Sequence, residues 1–232
     1  PLRLVGYDLT GVPLRWGRDL GVTFDWQADG DIDRNLTAFV HLYGPDGRRI
    51  AQVDKPVTDA DLVPTVDWSP DARVRDRVHL GLPVGAPPGT YRLEIGVYDA
   101  GTGERLPGER ATGEPAGPLA IDVEVARLDG APDRADLELV YGGGSDAVDV
   151  GGGLILLGYG LGGAVEGGGV ASLVLYWFVS TMDGPTIAED LRVHVSVRDV
   201  TGREVGATTL APGGPSFPTS DWGEVDIVRD VV

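Results

Sequence analysis

The chain has 232 residues, 42% of them hydrophobic, a formal net charge of −17 and no cysteine. The hydrophobic fraction is high enough for packed cores, and the absence of cysteine excludes disulfides, thiolate metal sites and a cysteine nucleophile. A surface this acidic repels phosphate backbones and anionic lipid headgroups, which argues against nucleic-acid binding and against direct docking on a membrane. The 36 glycines and 17 prolines separate short apolar runs and favour an all-β protein with many turns.

Short runs in which apolar and polar residues alternate predict the strands of the first half of the chain. In chain order these are Leu2–Leu9, Leu20–Gln27, Leu36–Tyr43, Arg48–Val53, Val74–Leu80, Tyr91–Tyr98 and Leu119–Val125. The clearest is the hairpin Leu36–Gln52, whose turn residues are Gly44-Pro45-Asp46-Gly47. Several short strands with regular turn signals and no convincing helix predict an immunoglobulin-like antiparallel β-sandwich over 1–125.

A polar and then glycine-rich stretch, 126–153, follows the first sandwich, and we predict that it is a linker. Leu137–Tyr141 is the one part of it with the alternation of a short strand. From Leu154 the first pattern starts again, so 154–232 is predicted to be a second copy of the sandwich.

The repeat is visible in several landmarks that recur at nearly constant spacing. The hairpin Leu36–Gln52 returns at Leu191–Ala207, and the sequence Pro-Thr-x-Asp-Trp that ends at Trp68 returns at Trp222. Counterparts of the strands Tyr91–Tyr98 and Leu119–Val125 are missing from the second copy. We therefore expect two β-sandwiches in tandem, of which the second is incomplete.

Several of these runs together resemble a known module. They are Leu-Val-Gly-Tyr-Asp-Leu from Leu4, Asp-Trp-Gln-Ala from Asp25, Ile-Asp-Arg-Asn-Leu-Thr-Ala-Phe-Val-His-Leu from Ile32, and Pro-Pro-Gly-Thr-Tyr-Arg-Leu-Glu-Ile-Gly-Val-Tyr-Asp from Pro87. The arrangement resembles the repeated β-sandwich in the soluble C-terminal parts of bacterial multi-pass membrane glycosyltransferases of the dolichyl-phosphate-mannose mannosyltransferase-like kind. The resemblance covers Leu4–Leu106 well and Leu156–Asp230 more loosely.

The resemblance implies a non-catalytic appendage on the extracytoplasmic face of a bacterial membrane, because catalysis in such enzymes belongs to the membrane part. It also implies a glycan or a polyprenyl-linked sugar as the partner. No apolar run here approaches the roughly 18 residues of a membrane helix. Membrane association is therefore expected only through the transmembrane region of a parent protein.

Three tryptophans are the candidates for contact with a carbohydrate or a partner. Trp68 and Trp222 each end a Pro-Thr-x-Asp-Trp loop outside a clear strand, where an exposed indole could stack on a sugar ring. The structural alternative is a loop plug, in which the indole covers the edge of the sandwich. Trp16 lies near Arg15 and Arg18 and is a weaker surface candidate.

Other chemistry finds little support in the sequence. The carboxylates Asp29, Asp31 and Asp33 could bind calcium in a loop, although the glycine and glutamate of an EF-hand loop are missing from the required positions. The histidines, His41, His79 and His194, have no spacing typical of a metal site or a proton relay. No nucleophile elbow occurs. We therefore predict no catalytic residue, no metal site and no cofactor.

Three functions remain open at this point. The first is a non-catalytic accessory region of a membrane glycosyltransferase, for positioning or for contact with substrate or protein. The second is a carbohydrate-binding module that uses the loop tryptophans. The third is a pair of adhesion or spacer domains without a ligand.

Overall fold

The computed structural model describes residues 2–110, 112–127, 147–162, 172–179 and 187–232, and strands dominate these ranges. The prediction of an all-β sandwich fold is confirmed. The chain divides into two compact units, the first comprising Pro1–Pro83 with Thr90–Val125 and the second comprising Val84–Gly89 with Ala126–Val232. In the part of the chain that the structure describes, no helix is long and apolar enough to cross a membrane.

The first unit is built from two main antiparallel sheets. Its strands are β1 (Leu2–Thr10), β2 (Asp19–Ala28), β3 (Leu36–Tyr43), β4 (Arg49–Pro56), β5 (Arg73–Gly81), β6 (Gly89–Asp99), β7 (Gly108–Glu109), β8 (Pro115–Ala116) and β9 (Leu119–Val125). One sheet has the order β1-β2-β5 and the other has the order β4-β3-β6-β9, while β7 and β8 form a small ribbon. The predicted bounds of β3 and β9 agree with the observed ones.

Register explains which side chains of β3 face the core. Val40 pairs with Val53 of β4 and with Ile95 of β6, and Leu42 pairs with Leu93 of β6. Since directly paired residues share a face of the sheet, these apolar side chains form one surface, and all but Val53 are buried. The intervening residues of β3 therefore point to the opposite, outer face.

The second unit repeats part of this plan. Its strands are β10 (Val148–Gly151), β11 (Leu154–Gly162), β12 (Ser172–Val179), β13 (Val193–Arg198), β14 (Glu204–Leu210) and β15 (Ile227–Val231). One sheet has the order β10-β11-β12-β15, and β13 and β14 form a second sheet. Its core centres on Trp177 and Trp222, and Val193, Val195 and Leu210 of the smaller sheet pack against it.

One observation on the second copy differs from the sequence-based expectation, and another agrees with the missing counterpart of Tyr91–Tyr98. Strand β10 lies inside the stretch 126–153 that was predicted to be a linker, because Val148 and Asp149 pair with β11 despite the surrounding glycines. Among the described residues, β13 pairs only with β14, whereas its counterpart β3 lies between β4 and β6. The expected strand Leu137–Tyr141 lies outside the described residues.

Candidate functional site

The outer face of the sheet β4-β3-β6-β9 carries a row of three rings. Phe39, His41 and Tyr43 alternate with the core-facing residues of β3, so all three project from the same face. Phe39 and His41 are only 1% and 4% exposed, although they lie on the outer side of the sandwich. The ring centroid of His41 lies 4.7 Å from that of Phe39 and 6.3 Å from that of Tyr43.

Two arginines cover the ends of this row. The guanidinium carbon of Arg105 lies 4.5 Å from the centroid of Phe39, and that of Arg92 lies 5.3 Å from the centroid of Tyr43. Gly96, which pairs with Phe39, makes room for the Phe39 ring, since a Cβ at this position would overlap it. Cation–π attraction thus holds both guanidinium groups on the rings. We call Phe39, His41 and Tyr43 with these two arginines the arginine-capped stripe.

His41 is the buried polar centre of the stripe. Its Nε2 lies 3.3 Å from Oδ1 of Asp54, whereas its Nδ1 is buried and has no hydrogen-bond partner among the described residues. Burial lowers the pKa of His41, because an imidazolium ion would lose its hydration there. Burial therefore favours the neutral imidazole, whose Nε2 faces Asp54 while its Nδ1 has no partner among the described residues.

The charges around the stripe are unusual for so acidic a protein. Arg49 and Arg105 lie close enough to His41 to lower its pKa further, and Asp54 opposes them. Arg92 Nη2 lies 3.0 Å from Oε1 of Glu94. Arg49 and Arg105 form no ion pair with any described carboxylate, so the stripe is locally basic on a chain with a net charge of −17.

Among the residues that the structure describes, the second unit has no equivalent of the stripe. The residues at the positions of Phe39, His41 and Tyr43 are His194, Ser196 and Arg198, which are all exposed. His194 Nδ1 lies 3.3 Å from the hydroxyl of Thr209. The two hairpins thus share a scaffold but differ on the outer face.

The loop tryptophans are placed in the core and not on a surface. Trp68 and Trp222 are 6% and 1% exposed. The Nε1–H of Trp68 donates to the carbonyl of Val63 over 2.9 Å, and that of Trp222 donates to the carbonyl of Phe217 over the same distance. Both indoles therefore match the loop plug, and neither offers a free ring face to a sugar.

A threonine hydroxyl completes each plug. The hydroxyl of Thr65 accepts from the backbone N–H of Leu36 over 3.0 Å and donates to the carbonyl of Arg34. In the second unit, the hydroxyl of Thr219 accepts from the N–H of Leu191 over 2.7 Å and donates to the carbonyl of Glu189. Each threonine begins a 3-10 turn, Thr65–Asp67 or Thr219–Asp221. The motif therefore ties this turn to the start of the hairpin.

Trp16, the third candidate, is 9% exposed, which leaves a small part of its indole accessible. Trp26 and Trp177 are also buried, so all five tryptophans of the chain lie in the interior. Recognition of a ligand by an exposed tryptophan platform is consequently at odds with the structure.

The acidic loop with Asp29, Asp31 and Asp33 uses two of its carboxylates in ion pairs. Arg3 Nη2 lies 2.7 Å from Asp29, and Arg34 Nε lies 2.8 Å from Asp33. The hydrogen bond from Arg34 lowers the pKa of Asp33. Within the described ranges, no group of three or more potential ligands is arranged to hold a metal ion.

An unpredicted cluster in the second unit involves Arg127. Its Nε donates to Asp226 over 3.2 Å and its Nη2 donates to the carbonyl of Asp221 over 2.7 Å. Its guanidinium carbon lies 5.3 Å from the ring centroid of Phe217. The hydrogen bond with Asp226 raises the pKa of Arg127. These contacts fix the loop around the Trp222 plug, and no sequence pattern pointed to them.

Comparison with known proteins adds little to this description of the fold and the candidate site. No protein-family model matches the sequence, and the search of curated proteins gives no match. Among solved structures, the C-terminal domain of wzt is 13% identical with a TM-score of 0.36, over 55% of this chain and 74% of that one. A β-glucuronidase of glycoside hydrolase family 2 is 12% identical with a TM-score of 0.32, over 52% of this chain and 11% of that one. Likenesses this weak carry no argument about function.

Proposed function

We propose that this chain is a non-catalytic accessory region that contacts carbohydrate through the arginine-capped stripe of its first unit. The observation that supports the proposal is the difference between the two hairpins. Phe39, His41 and Tyr43 replace exposed polar residues of the second unit on the same scaffold, and an acidic protein places arginines around them. These side chains lie on the face of the sheet opposite Val40 and Leu42, and Phe39 and His41 are buried there.

The chemistry of the stripe suits a polyhydroxylated ligand. Guanidinium groups can donate several hydrogen bonds to sugar oxygens, and the carboxylates of Asp54 and Glu94 can accept hydrogen bonds from sugar hydroxyls. Tyr43, the partly exposed ring of the stripe, gives shape to the surface. A binding site with a few well-placed polar groups beside aromatic side chains is typical of small-ligand recognition. The role that we propose for this set of groups is binding.

The parent protein and its location form the wider part of the proposal. The sequence motifs from Leu4 to Leu106 resemble modules of bacterial membrane glycosyltransferases, so we infer an extracytoplasmic position and a glycan or polyprenyl-linked sugar as the ligand. The natural gene tests this inference directly. We expect it to encode multiple membrane-spanning segments, and a gene without any would contradict a membrane glycosyltransferase as the parent.

A glycan array with the intact chain tests the binding role. We expect Tyr43→Ala to reduce binding by about tenfold, because Arg92 would lose the ring on which it rests. The matched control is Arg198→Ala, which changes the equivalent position of the second unit and should leave binding unchanged. Binding that survives Tyr43→Ala would contradict the role of the stripe.

A role as a spacer without a ligand is the second candidate function. The observation that favours it is the burial of all five tryptophans. An array on which the intact chain binds no glycan would support this alternative and would contradict carbohydrate contact.

A further inference from the structure

The two arginines of the stripe are held in place before any ligand arrives. Phe39 lies over Gly96, and Arg105 lies over Phe39, so the position of the guanidinium group follows from the strand pairing. Arg92 is fixed in the same way by Tyr43 and by its ion pair with Glu94. A long side chain that is already ordered loses less conformational entropy on binding.

The arrangement also decides which part of each group faces a ligand. A ring beneath a guanidinium group attracts its charge but accepts no conventional N–H···O hydrogen bond, so the ring contact leaves the N–H groups available as donors. Among the described residues, Arg105 takes part in no ion pair, and its side chain contacts the ring of Phe39, so its five N–H donors have no carboxylate acceptor there. The edge of a guanidinium plane matches the two oxygens of a carboxylate, which it binds with two parallel hydrogen bonds.

The net charge of the chain limits how many charges a ligand can carry. At −17 the surface as a whole repels anions, and at physiological salt the arginines dominate only within about 8 Å. A polyanion would extend its other charges over acidic surface. A single carboxylate on an otherwise neutral sugar avoids this repulsion and still uses the arginine donors.

From these observations we infer that the arginine-capped stripe binds saccharides that carry a carboxylate, which is the class of uronic acids, with Arg105 as the main group that contacts the carboxylate. This inference rests on the proposed carbohydrate-binding function and specifies its ligand. The hydroxyl groups of the sugar would meet Asp54 and Glu94, which lie on the neighbouring strands.

Titration calorimetry of the intact chain with the methyl glycoside of galacturonic acid, which carries a single carboxylate, and with the methyl ester of the same glycoside tests this inference. The two probes have the same sugar backbone and differ in charge. We expect the acid to bind at least about tenfold more tightly than the ester, since charge-assisted hydrogen bonds contribute more than neutral ones. Arg105→Gln should remove this preference, and Arg203→Gln, an exposed arginine of the second unit, should retain it.

Each other outcome has a definite meaning. Equal affinity for acid and ester that is lost in Arg105→Gln would overturn the carboxylate inference and leave the carbohydrate-binding function intact. A preference for the acid that persists in Arg105→Gln would overturn the assignment to this site. If neither probe binds while the glycan array shows neutral ligands, the inference fails alone. If the array is also empty, the proposed function fails with it.

Discussion

The two hairpins β3–β4 and β13–β14 share their local structure but not their environment. In both turns an aspartate accepts backbone N–H groups: Asp46 Oδ1 accepts from Arg48 over 2.9 Å, and Asp199 Oδ1 accepts from Thr201 over the same distance. Gly47 and Gly202 follow with φ values of 78° and 86°. The backbone turn is therefore the same in both copies, since the N–H of Gly47 donates to the carbonyl of Gly44 and that of Gly202 donates to the carbonyl of Asp199. The capping aspartate stands at a different position in each copy.

Burial separates the two hairpins. Leu42 on β3 is 1% exposed, whereas Val197 at the equivalent position of β13 is 49% exposed. The cause is the neighbouring strand: β6 lies beside β3, while within the described ranges only β14 pairs with β13. Local sequence thus determines the strand and the turn, and the rest of the sheet determines how much each residue contributes to stability.

The largest expected effect follows from this contrast. Leu42→Ala should lower the free energy of unfolding of the first unit by about 2–5 kcal/mol, because it leaves a cavity against Leu93. Val197→Ala should change the stability of the second unit by less than about 0.5 kcal/mol, because the side chain is already half exposed. Hydrogen exchange of the intact chain, followed by mass spectrometry, measures each unit separately.

A large loss of stability in Val197→Ala would show that the Val197 side chain is buried. In that case something other than the described residues covers the face of β13, and the contrast between the hairpins would disappear. The same exchange data on the unaltered chain provide a second comparison. Backbone amides of β13 should exchange faster than those of β3, since the latter lies between two partners.

The plug motif, in contrast, should behave alike in both units. Thr65→Val and Thr219→Val preserve shape but remove the hydroxyl that accepts from the N–H of Leu36 or Leu191. Each should cost about 1–3 kcal/mol, because a buried donor is left without a partner. Urea unfolding, with exchange at these two amides as the probe, gives both values. A loss of stability in only one of the two units would contradict an equivalent role for the repeated motif.

Much of the scaffold could be predicted because it depends on local patterns. The alternation of apolar and polar residues predicted the bounds of β3 and β9. The nearly constant spacing between recurring motifs identified the repeat. The threonine of the plug was recognisable as a capping residue, but its partners, Leu36 and Arg34, are distant in the sequence. The burial of the loop tryptophans also depends on packing between distant segments, so the sequence alone could not distinguish a loop plug from an exposed ring.

The stripe could not be predicted for a physical reason. Outer-face residues of a sandwich strand are ordinarily exposed, so Phe39 and His41 gave no signal of a covered site. The groups that cover the row come from other parts of the chain: Arg92 lies on β6 and Arg105 follows it. Gly96 is the one local clue, since a strand glycine often marks the close approach of another group.

The smallest expected effect concerns the pH dependence of His41. Burial lowers its pKa in the folded state, so the unfolded chain binds a proton more readily. The stabilisation by neutral His41 is therefore complete above the unfolded pKa of about 6.5, and it is lost as the pH falls below that value. The stability of the first unit should decline between pH 7.5 and pH 5, and His41→Gln should make this decline smaller. Thermal unfolding of the unaltered chain and of His41→Gln over this pH range measures the two declines. Subtracting one decline from the other cancels the contribution of the carboxylates, because both proteins contain the same ones. Direct NMR titration adds a check: the His41 ring should titrate at lower pH than a histidine in a short blocked peptide, and titration at the same or higher pH would contradict the burial of the imidazole.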